Sequence, residues 1–232
     1  MTVELQPTRA ARQDAAGSKL RSGWWRLVEV IASSLALLVL LPILMVVAVC
    51  IVLTDGFPIL FRQVRVGRQG LPFTLLKLRS MRKDNAGIQV TKAGDPRVTW
   101  IGQWLRRYKL DEIPQLWNVI RGDMAIVGPR PEVPRYVDLD DPRWTAILSY
   151  RPGITDLPTL LYRNEEEILA AAADPEQHYR DTVLPDKLSL NLAYARSWTP
   201  LQDLHLILLS IRYSVLPSGF DAAALRARFA AE

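Results

Sequence analysis

Cysteine is almost absent: Cys50 is the single one in 232 residues, and it lies inside an apolar run. No internal disulfide can form. Histidine is nearly as scarce, with His178 and His205 far from that cysteine. The chain therefore has too few soft ligands for a zinc site, which leaves oxygen-ligated metals such as magnesium. No internal repeat is evident. Charge is missing altogether from Val30 to Leu53. That stretch of about 24 residues can reach across a bilayer, for which about 20 suffice. It exceeds the roughly 7–15 residues of a signal-peptide core, and no small-residue cleavage site follows, so it reads as an anchor.

What is present fits one ordinary domain beside that anchor. Hydrophobic residues make up 49% and charged residues 23%, enough for a packed core and against global disorder. The net charge of +5 suits an anionic partner such as phosphate, nucleic acid or acidic lipid, without choosing among them. Residues 1–23 read as a mobile polar tail and 24–54 as the membrane helix. Residues 55–200 read as a catalytic domain, and 201–232 as a C-terminal amphipathic helix and tail. Lys19, Arg21 and Arg26 precede the apolar run; Arg62, Arg65 and Arg68 follow it. Positive charge holds a flank on the cytoplasmic side, and Pro42 interrupts the middle of the run. A helix that enters, bends at Pro42 and leaves by the same face satisfies both flanks, whereas a straight span satisfies one.

After the anchor, Ile59–Phe61 and Phe73–Leu76 alternate around Gly67 and Gly70, which predicts a small β-hairpin. Lys83 to Asp95 reads as a loop. Ile101, Trp104, Leu105 and Tyr108 carry a helical period, as do Ile113, Leu116, Trp117 and Ile120. The two stripes are out of phase, so a break falls between Lys109 and Pro114. Asp111 is then expected to cap the second helix. Gly128-Pro129-Arg130-Pro131 and Arg151-Pro152-Gly153 read as rigid turns with an arginine each. Leu204, Ile207, Leu208, Ile211 and Val215 form one helical face, destined for the core or for a membrane interface.

Asp111 and Glu112 are adjacent carboxylates at a bend beside an anchor. Neighbours on a helix project about 100° apart, so the two cannot share one task symmetrically. A cap followed by a first-turn acid accounts for them without chemistry. Around them, however, stand Lys77, Arg79, Arg82, Arg106, Arg107, Arg130 and Arg151, a set of cations suited to a diphosphate. Arg130 and Arg151 are the better candidates, because flanking prolines hold their backbones.

Five runs carry a resemblance: Lys77-Leu78-Arg79-Ser80-Met81; Lys109 to Leu116; Asn118 to Met124; Val127 to Pro131; and Arg151 to Thr155. In this order and spacing they resemble the monotopic phosphoglycosyl transferases, the bacterial sugar transferase family, over roughly residues 25–215. The resemblance implies a mainly α fold with a small β-hairpin and a re-entrant N-terminal membrane helix broken at Pro42. It implies transfer of a sugar-1-phosphate from a UDP-sugar to a polyprenyl (undecaprenyl) phosphate, with release of UMP. Asp111 would be the nucleophile, forming a covalent aspartyl intermediate. Glu112, with Asp111, would hold Mg²⁺. Lys77, Arg79, Arg106, Arg130 and Arg151 would bind the substrate. The expected location is the cytoplasmic face of the bacterial inner membrane, in contact with membrane lipids. The reaction would open glycoconjugate or exopolysaccharide synthesis, with downstream glycosyltransferases as further partners and no nucleic acid.

The chain departs from the family pattern after Thr155, where Asp156 to Tyr162 replaces a Gly-Trp-Ala-Gln run before Arg163-Asn164. That puts the substrate's identity in question and leaves the Asp-Glu core intact. With no large membrane domain ahead of the anchor, the chain resembles the family's minimal form. Two other readings use the same residues: a Mg-dependent hydrolase of lipid phosphates, and a non-enzymatic membrane adaptor.

Overall fold

The computed structural model describes residues 23–82, 91–216 and 221–230. The expected tail (apart from Gly23) and most of the expected loop after Lys83 lie outside these residues. Helix α1 (Gly23–Asp55) is the longest element and continues through Pro42. It is long and apolar enough to cross a membrane, and little of it is buried in the protein. Leu35, Leu38, Val39, Val46 and Leu53 all face outward. Such a surface is stable only against lipid or another apolar body.

Both ends of α1 are nevertheless fastened to the rest of the chain. Strands β1 (Leu60–Val66) and β2 (Pro72–Leu78) form the expected antiparallel hairpin, with Phe61 opposite Lys77 and Arg65 opposite Phe73. Helix α2 (Trp100–Arg107) follows, its first turn closed by Thr99, whose side chain accepts from the Gly102 amide at 3.0 Å. Ile51, near the end of α1, is fully buried against Leu78 and Leu105. Gly102 is needed for this packing, because a Cβ there would lie 2.0 Å from the Ser80 carbonyl oxygen. At the other end, Arg26 donates to the Met124 carbonyl at 3.1 Å and also to that of Val119. Glu29 accepts from the Ile126 amide at 3.2 Å.

Between these anchor points sits helix α3 (Gln115–Arg121). Asn118 is completely buried beneath it and ties it to the hairpin. Its Oδ1 accepts from the Leu76 amide at 3.1 Å and its Nδ2 donates to the Thr74 carbonyl at 2.8 Å. Two short strands, β3 (Ala125–Val127) and β4 (Gly153–Thr155), then pair in parallel. The proline-rich turns expected here thus contain strands as well; three residues are too few to print a period. Gly128 and Gly153 make the crossing possible, since a Cβ on either would lie under 2.5 Å from the other segment's backbone.

The remainder is helical: α4 (Pro142–Ile147), α5 (Leu157–Leu161), α6 (Glu165–Ala171), α7 (Pro175–His178), a π-turn (Tyr179–Val183), α8 (Leu184–Ser197), α9 (Pro200–Val215) and α10 (Ala222–Ala230). Trp144, Leu148, Leu169, Val183 and Leu188 make one core, and Val127, Leu157, Leu160, Leu161 and Leu206 another. On α9 it is Leu206 that enters the core. Leu204, Leu208, Ile211 and Val215 stay exposed, with Leu201 extending the stripe.

Candidate active site

Asp111 does not cap α3. The N-cap is Pro114, with no side-chain bond, and the two carboxylates lie in a separate 3₁₀ turn, Leu110–Glu112. The cause is Lys109, which adopts a left-handed conformation at φ 56°. That reversal turns Asp111 and Glu112 inward instead of along the helix axis, and both are buried.

The two neighbours then meet opposite fates. Glu112 receives Lys77 Nζ on Oε1 at 3.1 Å and the two terminal nitrogens of Arg130, at 2.5 Å on Oε1 and 3.2 Å on Oε2. Burial works against its charge, but Arg130, Lys77 and Lys109 outweigh that and hold its carboxyl well below the ordinary 4.5. Asp111 Oδ1 is buried with no hydrogen-bond partner. Burial pushes its carboxyl above the ordinary 3.8; Lys77 opposes the rise and the Glu112 charge adds to it. Lys77 pays for the same enclosure, its ammonium drawn below 10.5 by burial despite Glu112. Arg130 is raised further by Glu112 and stays charged.

Arg130 is held from behind. Its amide donates to Asp156 Oδ2 at 2.9 Å, an oxygen that also accepts from Asn191 Nδ2 at 3.1 Å. Asp156 Oδ1 caps α5 by accepting from the Thr159 amide at 2.7 Å. The segment that departs from the family pattern therefore begins with the residue that positions Arg130.

These groups line a broad cleft of about 2110 Å³ between α1 and the domain. One side is apolar, from Leu37, Leu41, Leu44 and Met45 of α1; the other carries Lys77, Arg106, Lys109, Asp111, Glu112 and Arg130. Arg106 pairs with Glu166. Arg79 also borders the cleft but gives its guanidinium to the carbonyls of Asp55 and Gly56, at the end of α1. Arg151 is not among the lining residues; its carbonyl lies against Gly128. The structure thus brings Lys77, Arg106 and Arg130 together with the carboxylates and turns the Arg79 guanidinium to the end of α1.

In sequence Arg65 stands only as a charge flanking the apolar run. It is inside the cleft, donating to the Pro131 carbonyl at 3.0 Å and standing 3.8 Å from Glu132. Burial draws its pKa down. The signal lay in the hairpin register, since Arg65 and Lys77 sit on one face of it.

The comparisons with known proteins follow this geometry. The family model described as bacterial sugar transferase matches residues 20–216. The chain belongs to the bacterial sugar transferase family. A UDP-glucose:undecaprenyl-phosphate glucose-1-phosphate transferase of Caulobacter vibrioides is 35% identical over 80% of this chain and 67% of its own length. A Klebsiella pneumoniae protein of the same name is 36% identical over 80% of this chain and 39% of its own length. The exopolysaccharide production protein ExoY of Rhizobium meliloti is 29% identical over 84% of this chain and 86% of its own. This family member thus spans about two thirds of the Caulobacter relative and well under half of the Klebsiella one.

Proposed function

We propose that this chain transfers a sugar-1-phosphate from a UDP-sugar to undecaprenyl phosphate, through a covalent ester on Asp111. The observation that carries the reading is Asp111 Oδ1: a buried carboxylate oxygen without a partner, in a cleft where Lys77, Arg106, Lys109 and Arg130 stand beside it. An unsatisfied buried oxygen costs about 1–3 kcal/mol, a cost that a bond to the substrate's phosphorus would relieve. In the first step Asp111 Oδ1 attacks the phosphorus bearing the sugar. The bond from that phosphorus to the bridging oxygen breaks, and UMP leaves with the electron pair. In the second, an oxygen of the lipid phosphate attacks the same phosphorus and Asp111 departs as carboxylate. Arg130 and Lys77 offset the charge on the phosphoryl oxygens throughout.

Among the described residues no group of three or more His, Cys, Asp or Glu could hold a metal unaided. Magnesium beside nucleotides asks for less: one or two carboxylates, with phosphate oxygens and water completing the shell. Asp111 Oδ1 is free, and Glu112 spends three of its four lone-pair sites on Lys77 and Arg130. The donor set fits. Asp111 and Glu112 would hold Mg²⁺, which would supply further charge neutralisation at the diphosphate.

The attachment of both ends of α1 to one body supports a re-entrant path. Arg26 near its start bonds the Met124 carbonyl and Ile51 near its end packs on Leu78 and Leu105, so both flanks of the apolar run lie on the domain's side. In this arrangement the cleft sits at headgroup depth on the cytoplasmic face of the inner membrane. Its apolar α1 side accommodates the lipid tail, and the exposed Trp100, Trp104 and Trp117 suit the interface. Glucose is the first sugar to try, from the names of the relatives, and the product would pass to later glycosyltransferases of exopolysaccharide assembly.

The test is a single turnover with β-³²P-labelled UDP-glucose and no lipid. One equivalent of UMP and a labelled protein are expected, with the label moving to chloroform-extractable material once undecaprenyl phosphate is added. UMP release that strictly requires the lipid overturns the two-step route.

A further inference from the structure

The cleft has a second wall that the phosphoryl chemistry leaves unused. Tyr162 at the end of α5, Glu165 at the start of α6, Tyr179 of the π-turn and Lys187 of α8 all border it. Lys187 pairs with Glu165. Its ammonium stands 5.6 Å from the Tyr162 ring centroid and 5.2 Å from that of Tyr179. The Tyr162 hydroxyl donates to Asp186 Oδ2 at 2.6 Å. The same oxygen accepts from Arg226 at 2.5 Å. Arg226 belongs to α10, which buries Leu225 in the core of Leu157, Leu160 and Leu206. That helix lies beyond residue 216, where the family match ends.

We propose that Tyr162, Glu165 and Lys187 form the specificity-determining wall for the donor's sugar, and that α10 positions this wall through Asp186. The inference rests on the transferase reading above. A sugar hydroxyl both donates and accepts, and an ammonium beside a carboxylate offers one partner of each kind. The tyrosine faces add an apolar platform for the ring's C–H groups. The wall also adjoins the phosphate-handling end, for Glu165 lies close enough to Arg130 to help raise its pKa. Of the acidic run Glu165-Glu166-Glu167, Glu166 pairs with Arg106 and Glu165 with Lys187, which places Glu165 in this wall.

The experiment measures kcat/KM for UMP release by the full chain, with undecaprenyl phosphate present. The donors are UDP-glucose, UDP-galactose, UDP-N-acetylglucosamine and UDP-N-acetylgalactosamine. A site built on hydrogen bonds to hydroxyls discriminates strongly, so Glu165→Gln is expected to change the ratio between favoured and disfavoured donors by about tenfold or more. Tyr162→Phe and Arg226→Gln, which cut only the tether to Asp186, should each change it by about threefold. A ratio does not depend on how much of a variant folds. Variants that lower all four donors by one factor, or shift none, overturn the proposal and leave the transferase reading standing. A wild-type chain that releases UMP from none of the four overturns the transferase reading itself, and this inference with it.

Discussion

The carboxylate turn and the wall formed by α5, α6 and α8 border one cleft but are built on opposite plans. At the turn, one oxygen of Asp111 has no partner, while three donor contacts crowd onto Glu112. Along the wall, Tyr162, Tyr179, Lys187 and Glu165 each have a bonded partner. A group that must form a bond to phosphorus cannot already be satisfied, whereas groups that recognise a shape gain from being fixed beforehand. Between the two adjacent carboxylates, local incompleteness sets Asp111 apart where charge does not.

The largest expected effect follows from removing that incompleteness. Asp111→Asn should lower transfer by roughly 10⁴-fold or more, as loss of a nucleophile does, measured as UMP release. The same change should leave the unfolding midpoint unchanged or higher, because it takes away a buried charge that lacks a bond. Activity that survives within tenfold would erase the contrast with the wall. Glu112→Gln should do the reverse in stability. It breaks a buried pair with Arg130 and Lys77, at a cost of about 3–5 kcal/mol, read from denaturant unfolding.

The pH dependence separates the two carboxylates again. Asp111 has a folded pKa above 3.8. It therefore favours the native state when protonated, and that contribution is lost as pH rises through its folded value. Glu112 lies well below 4.5, so its contribution is present above 4.5 and disappears as pH falls through its folded value. The acid limb of kcat/KM should accordingly sit above 3.8 and follow Asp111. Lys77→Ala should move it higher still, because Lys77 is the strongest of the charges lowering the Asp111 pKa. A limb that moves down in that variant assigns the titration to another group.

Much of this was legible in the residues. The hairpin, the two helices around Lys109 and the apolar anchor all follow from period and composition, and Asp111 and Glu112 stood out as a pair. Their opposite hydrogen bonding did not, because it depends on the left-handed turn at Lys109, which no spacing announces. In sequence Arg151 ranks with Arg130, both braced by prolines, and Arg79 stands below them in the same set. What distinguishes Arg79 from Arg130 is direction: Arg79 faces the carbonyls that end α1, and Arg130 reaches Glu112. Long-range contact also decided the α9 face, where Leu206 and not Leu204 found the core.

Asp156 joins the two regions, which makes it the place where a small change is most informative. Its Oδ1 starts α5, the helix that ends at Tyr162, and its Oδ2 accepts from both Arg130 and Asn191. Asn is as good an N-cap as Asp, so Asp156→Asn can keep the Thr159 bond while its amide nitrogen faces two donors. The loss should be about 1–2 kcal/mol, or ~3–6 °C in the unfolding midpoint for a chain of this size. Arg130 should loosen with it and turnover should fall several-fold. The ratio between donor sugars should stay within about twofold of wild type, because α5 and Tyr162 keep their start. If the ratio moves as far as turnover does, the turn and the wall are one mechanical unit, and the distinction between a reactive region and a recognising one fails at the residue that links them.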